Sequence, residues 1–188
     1  MATNLIKVTG QTAIVWADTT DYASTLSGLV RTDQIDLTSV GSGSARQGAK
    51  ADLGATRATK YAVFVCMEIV SAAASAESIE IYWAGSPSAT AANANPGGAS
   101  GADAAYTGTA GDSLIDSLPQ LEYVGALITT SDNTGVPQYQ KVGVLFGDEI
   151  QRYGMPVVVN NSTGVLEGNA TEMLVALVPI LPDIQAAA

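Results

Sequence analysis

From residue 60 onward the apolar residues of this chain come in short runs rich in Val and Ile, separated by clusters of Gly, Asn and Pro. A β-branched side chain loses rotamer freedom in a helix but packs well on a pleated surface, so such runs predict strands. Residues 60–70 (KYAVFVCMEIV) form the strongest run. Residues 78–83 (SIEIYW) alternate, which places Ile79, Ile81 and Trp83 on one face and Glu80 and Tyr82 on the other. Further strands are expected at 121–130, 141–146, 155–159 and 171–178. Turn chemistry at 85–87 (GSP), 131–135 (SDNTG) and 160–164 (NNSTG) separates several of them. Upstream, residues 13–16 and 35–40 are shorter strand candidates, and 5–8 is a candidate edge strand. The pattern predicts an all-β chain of antiparallel sheets, a sandwich or barrel.

Helical signals are few. Residues 111–118 (GDSLIDSL) fit a single turn capped by Asp112 or Ser113 and ended by Pro119. Residues 20–30, with Asp21 as cap, form a weaker candidate. Two segments predict neither strand nor helix: 40–59, with its GSGSARQG string, and 84–111, almost wholly Ala, Gly, Ser, Asn and Thr. At 188 residues the chain fits one domain, with 1–59 as an N-terminal arm of edge strands and loop, 60–188 as the main sandwich and 84–111 as its long loop. Small side chains permit close backbone approach, so this loop is expected to lie against another subunit.

Charged residues make up only 14% of the chain, against about 25% in an ordinary soluble domain. A weakly charged surface suits a protein packed against copies of itself or a partner. The net charge of −10 repels nucleic acid, whose binding depends on Lys and Arg. Histidine is absent, which removes Ser-His-Asp and Cys-His machinery and the commonest general base. The single cysteine, Cys66, cannot form an internal disulfide and reads as a small buried hydrophobe. The first residues carry neither a basic stretch nor a long apolar core, and no run approaches membrane-spanning length, so the chain is expected to be made and used without secretion or membrane insertion. The Asn-X-Ser/Thr triplets at Asn160, Asn161 and Asn169 then read as chance matches.

The remaining chemistry is carboxylate chemistry. Asp112 and Asp116 form a potential acid pair, read instead as capping a helical turn. Asp103, Asp112 and Asp116 are weak calcium candidates near the Gly-rich loop, although their spacing fits no known loop motif. No other cofactor is expected. Arg46, Lys50 and Arg57, in the basic-rich segment, are expected to pair with acidic groups on a neighbouring chain. Trp16 and Trp83 share parity with core isoleucines and read as core residues rather than sugar platforms.

The strings IEIYWAGS (79–86), NPGGASGADAAY (95–106), QLEYVG (120–125), RYGMP (152–156) and EMLVALVPI (172–180) resemble those of small virion structural proteins of tailed bacteriophages. The resemblance implies a jelly-roll-like sandwich attached to the outside of a capsid as a decoration or cement protein, in oligomeric clusters. It would be assembled in the host cytoplasm, with the major capsid protein and copies of itself as partners and no enzymatic activity. Arg46, Lys50, Arg57, Asn95, Pro96 and Tyr106 are then its expected interface residues. A glycan-binding sandwich for host attachment, using Trp83 or Tyr106, and a tail-tube or head–tail component are the alternatives.

Overall fold

Strand pairing in this chain runs from the outside of the sequence inward. The computed structural model describes residues 12–23, 25–70, 76–130, 136–146, 150–169 and 171–180. Within them β1 (Ile14–Ala17) pairs with β11 (Leu174–Pro179), and β3 (Ser44–Gln47) with β10 (Tyr153–Asn160). Further in, β5 (Lys60–Met67) pairs with β9 (Gln138–Phe146), and β6 (Ser78–Ser86) with β8 (Glu122–Ile128). All four pairings are antiparallel. Three two-residue strands, β2 (Asp33–Gln34), β4 (Ala51–Asp52) and β7 (Ala104–Ala105), extend the margins. The ribbon folds over into two sheets, a first with order β2-β1-β11-β5-β9 and a second with order β7-β3-β10-β6-β8, where β4 also pairs with β10. The chain is an all-β sandwich.

The expected strands from residue 60 onward are present, with their ends moved by a few residues. Alternation sends Tyr61, Val63, Val65 and Met67 of β5 and Ile79, Ile81 and Trp83 of β6 into one core between the sheets. Trp16 and Trp83 meet there edge to face, with ring centroids 5.7 Å apart. Each indole lies on a glycine: a Cβ at Gly48 would come within 2.8 Å of Trp16, and one at Gly154 within 2.2 Å of Trp83.

Upstream the expectations need correction. Residues 35–40 are not a strand, although Ile35, Leu37 and Val40 are buried in the core. The Asp36 carboxylate accepts from the Thr38 N–H (2.9 Å) and Ser39 takes a positive φ, so the backbone turns instead of extending. Segment 40–59 does form strands, β3 and β4, because β10 offers Val157, Val158 and Val159 as partners; pairing overrides the weak propensity of Ser-Ala-Arg-Gln. Residues 20–30 form no helix among those described. Asp18, not Asp21, receives the free N–H groups, from Thr20 and Asp21, and Gly28 turns the chain at φ 65°. The expected turn of helix is present as α1 (Leu114–Ser117), with Ser113 as its cap, and a 3₁₀ turn follows at Leu118–Gln120. Residues 5–8 and the turn at 131–135 lie outside the described residues.

Strands β8 and β9, the edges of the two sheets, cross backbone to backbone. Val124 is skipped in the β6–β8 register and Val142 in the β5–β9 register, so each strand carries a bulge immediately before a glycine. Bulges bend a strand and increase its twist. Here they turn the two edges toward each other until a Cβ on Gly125 would lie 2.1 Å from the Val142 carbonyl oxygen and one on Gly143 would lie 2.2 Å from that of Val124. The crossing shields both sheet edges at one side of the sandwich. Gly125→Ala is expected to cost about 2–4 kcal/mol, because a methyl group would displace backbone rather than a side chain. Urea unfolding of the variant measures this, and a loss below about 0.5 kcal/mol would remove the crossing as a packing constraint.

Candidate functional site

The long Ala/Gly/Ser segment is a plate over the outer face of the second sheet. Ala99, Tyr106 and Leu121, with Leu114 and Leu118 of the helical turns, pack on Ala45, Ala84, Met155, Val157 and Val159. The close approach permitted by small residues is therefore made within the chain. A Cβ at Gly101 would overlap the Ala91 carbonyl at 1.9 Å, and one at Gly97 would lie 2.7 Å from the Tyr106 hydroxyl. Tyr106 is buried and its hydroxyl donates to the Gly97 carbonyl. The Asn95 amide donates to the carbonyls of Ala91 and Ala99, and Pro96 opens a 3₁₀ turn (Pro96–Gly98).

Lys50 pins the first half of the plate. The three N–H groups of its ammonium are shared among four acceptors, the Ser86 hydroxyl (3.0 Å) and the carbonyls of Ser88 (3.2 Å), Thr90 (2.8 Å) and Asn93 (3.0 Å). Burial lowers its pKa. The main chain beneath it is fixed from three directions. Ala49 donates to the Gln34 carbonyl and accepts from the Trp16 indole, and Lys50 donates to Gly101. Lys50→Met is expected to keep the sandwich and release residues 86–95, since three carbonyls lose their only cation. Hydrogen–deuterium exchange should rise at least about tenfold there and stay unchanged in β5 and β10.

Arg46 pins the second half. Its guanidinium donates to Asp103 (2.8 Å) and lies 3.9 Å from Asp36, and these contacts hold its pKa up. Asp103 also accepts from the Gln34 amide (3.2 Å) and the Asp36 N–H (3.2 Å), and Gln34 reaches on to Asp18 (3.3 Å). Burial pushes the Asp18 carboxyl up, and the N–H groups of Thr20 and Asp21 outweigh this and bring it below its ordinary value. The neighbouring-chain acids expected opposite the basic segment are thus replaced by acids and carbonyls of the same chain. Arg57 likewise donates to the Ile150 carbonyl (2.9 Å).

The calcium candidates do not converge. Asp103 sits in the Arg46 network, while Asp116 accepts from the Ser113 hydroxyl (2.6 Å) on α1, next to Asp112. Among the described residues no group of three or more acidic or cysteine side chains is placed to hold a metal ion, and no helix is long and apolar enough to cross a membrane. Asn160 is buried with its amide bound to the carbonyls of Val40 and Gly164, so this triplet closes a turn.

On the outer face of the first sheet Cys66 is buried, as expected. Burial and the nearby Glu68 and Glu172 push its thiol up to about 12. Burial, together with Glu167 and Glu172, also raises the Glu68 carboxyl. The ionised form is disfavoured in the folded chain, so this group lowers stability as pH rises through its raised pKa, and the loss is relieved below its ordinary value. Glu68→Gln should therefore raise the melting temperature at pH 7, with the gain fading toward about pH 4. A gain independent of pH would show that packing, not charge, is responsible.

Sequence reading missed the exposed aromatics of the two edge strands. Tyr123 is 52% exposed and Phe146 55%, and Tyr139 and Ile128 are also exposed. Their half-regular alternation resembled ordinary strand texture, and only the sheet order identifies these strands as edges. Comparison of the chain with protein-family models, curated proteins and solved structures returns no match.

Proposed function

We propose that the chain is a non-enzymatic virion structural protein, a decoration or cement protein that stabilises a tailed-phage capsid from outside. The observation that carries this reading is the strand winding. Pairing of β1 with β11, inward to a β6–β8 tip, is the order that a rolled double ribbon would give, and it supports the jelly-roll-like sandwich that the resemblance implies. The pinned plate supports it as well: a rigid neutral surface can dock repeatedly with little ordering cost, and many modest contacts add across symmetric copies. The net charge of −10 favours a position away from packaged nucleic acid. Its partners are then the major capsid protein and copies of itself, on the virion exterior, with no cofactor.

The glycan-binding alternative relied on Trp83 or Tyr106 as stacking platforms, and both lie inside at 2% and 3% exposure. Antibody labelling of intact particles tests the proposal directly. Labelling around the head, with heads lacking the chain releasing their genome at a lower temperature, is the expected result. Absence from particles would end the reading, and labelling along the tail would transfer it to a tail component.

A further inference from the structure

An acidic site without a cation lies at one end of the outer face of the first sheet. Met67, Ile69, Leu166 and Met173 point into the core, so the alternating side chains Glu68, Val70, Val165, Glu167 and Glu172 turn to the opposite side. Backbone bonds hold these segments together: the Glu167 N–H donates to the Glu68 carbonyl (2.9 Å) and the Val70 N–H to the Val165 carbonyl (2.8 Å). Glu68 and Glu172 each lie two residues beyond the Cys66↔Leu174 pair, and the Glu68 carboxyl sits in the field of both Glu167 and Glu172. Leu26 borders the group, its N–H donating to the Glu172 carboxylate (3.1 Å).

Glu68 and Glu172 are buried, at 9% and 8% exposure, yet the Glu68 carboxyl has no hydrogen-bond partner among the described residues. Glu167 accepts from the N–H of its own neighbour, Gly168. A buried carboxylate without a cation is costly, and like charges beside it add to that cost. None of the described cations offsets it. Arg46 and Arg152 pair with aspartates, Lys50 and Arg57 hold carbonyls, and Arg31 lies beside Asp33. Lys141 stands opposite Phe64, four residues or about 13 Å along the chain from Glu68, and Lys60 begins the far end of β5.

The arrangement of the site narrows the class of cation. Among the described residues no three carboxylates are placed to hold a single metal ion, whereas an ammonium or guanidinium carries several N–H donors that reach separate acceptors. Exposed Leu26, Val70 and Val165 rim the acids with apolar surface, which matches the methylene stem of a long basic side chain. We infer that this site receives a lysine or arginine side chain from a partner protein, its stem against the apolar rim and its charged head against Glu68 and Glu172. A buried acceptor inside an apolar rim is the arrangement of an interface anchor. The inference does not depend on where the chain works, and it holds or fails in the purified chain with no particle present.

Carboxyl-carbon NMR of the full chain, titrated at low salt with acetyl-arginine amide and with acetyl-lysine amide, tests this. Saturable shifts at Glu68 and Glu172, without a matching shift at exposed Glu122, are expected from at least one of the two compounds. Glu68→Gln keeps the shape of the side chain and should weaken binding at least about tenfold. No saturable shift with either compound overturns the inference. So does binding that Glu68→Gln leaves unchanged, or a shift as large at Glu122. Ca²⁺ or spermidine bound more tightly than both compounds would assign the site to a metal or a free polyamine, and overturns it as well. Far-UV circular dichroism checks that Glu68→Gln keeps its strands. If it does not, Glu167→Gln, at the more open carboxylate, takes its place, and binding unchanged in that variant overturns the inference.

Discussion

The Trp16–Trp83 contact is the point from which the rest of the structure follows. It joins β1 of one sheet to β6 of the other across the middle of the core, and an edge-to-face pair adds about 0.5–1.5 kcal/mol beyond the area it buries. Seating two indoles between sheets requires backbone without side chains beneath them, which Gly48 and Gly154 supply. The Trp16 N–H then takes the Ala49 carbonyl at 2.7 Å, and this sets the path of residues 48–50 out of the second sheet. Lys50 is aimed by that path. Through it the core contact determines where residues 86–95 lie, and so the shape of the outer surface.

This arrangement also accounts for a proline where a sheet should not hold one. Pro156 sits within β10, between neighbours on both sides, a position that costs a ladder hydrogen bond. Its carbonyl accepts from Gly48 (2.9 Å), so the side lacking an N–H faces the place where residues 48–50 leave the sheet between β3 and β4. The missing donor falls in a gap that already exists. The Lys50 path and the Pro156 position are two consequences of one interruption.

How much of this was legible in the sequence varied with the range of the forces involved. Strands with strong alternation, such as those around Val63 and Ile81, were readable because burial repeats every second residue. The burial of both tryptophans and of Cys66 followed from the same parity. The strand at Ala45 was not readable, since its pairing with Val158 and Val159 depends on residues more than a hundred positions away. The roles of Arg46 and Lys50 failed to appear for the same reason: their partners lie in a loop whose composition predicts no fixed position. Sequence could register that small residues allow close approach, but not that the approached surface belongs to the same chain. Nor could it separate the Val-Gly steps at 124–125 and 142–143 from ordinary strand texture.

Pairing of first strand with last also has a consequence for the order of events in folding. In the first sheet β11 lies between β1 and β5, so the sheet stays in two pieces until residues 174–179 have left the ribosome. Contacts of this separation pay loop-closure entropy before any pairing rewards them, which makes such topologies slow to fold. Until then the β5 surface that receives β11, lined by Val63 and Val65, is an open strand edge. A nascent chain of this design completes its first sheet only after β11 has been translated, and the β5 edge stays unpaired in the interval, when such surfaces are most prone to aggregate.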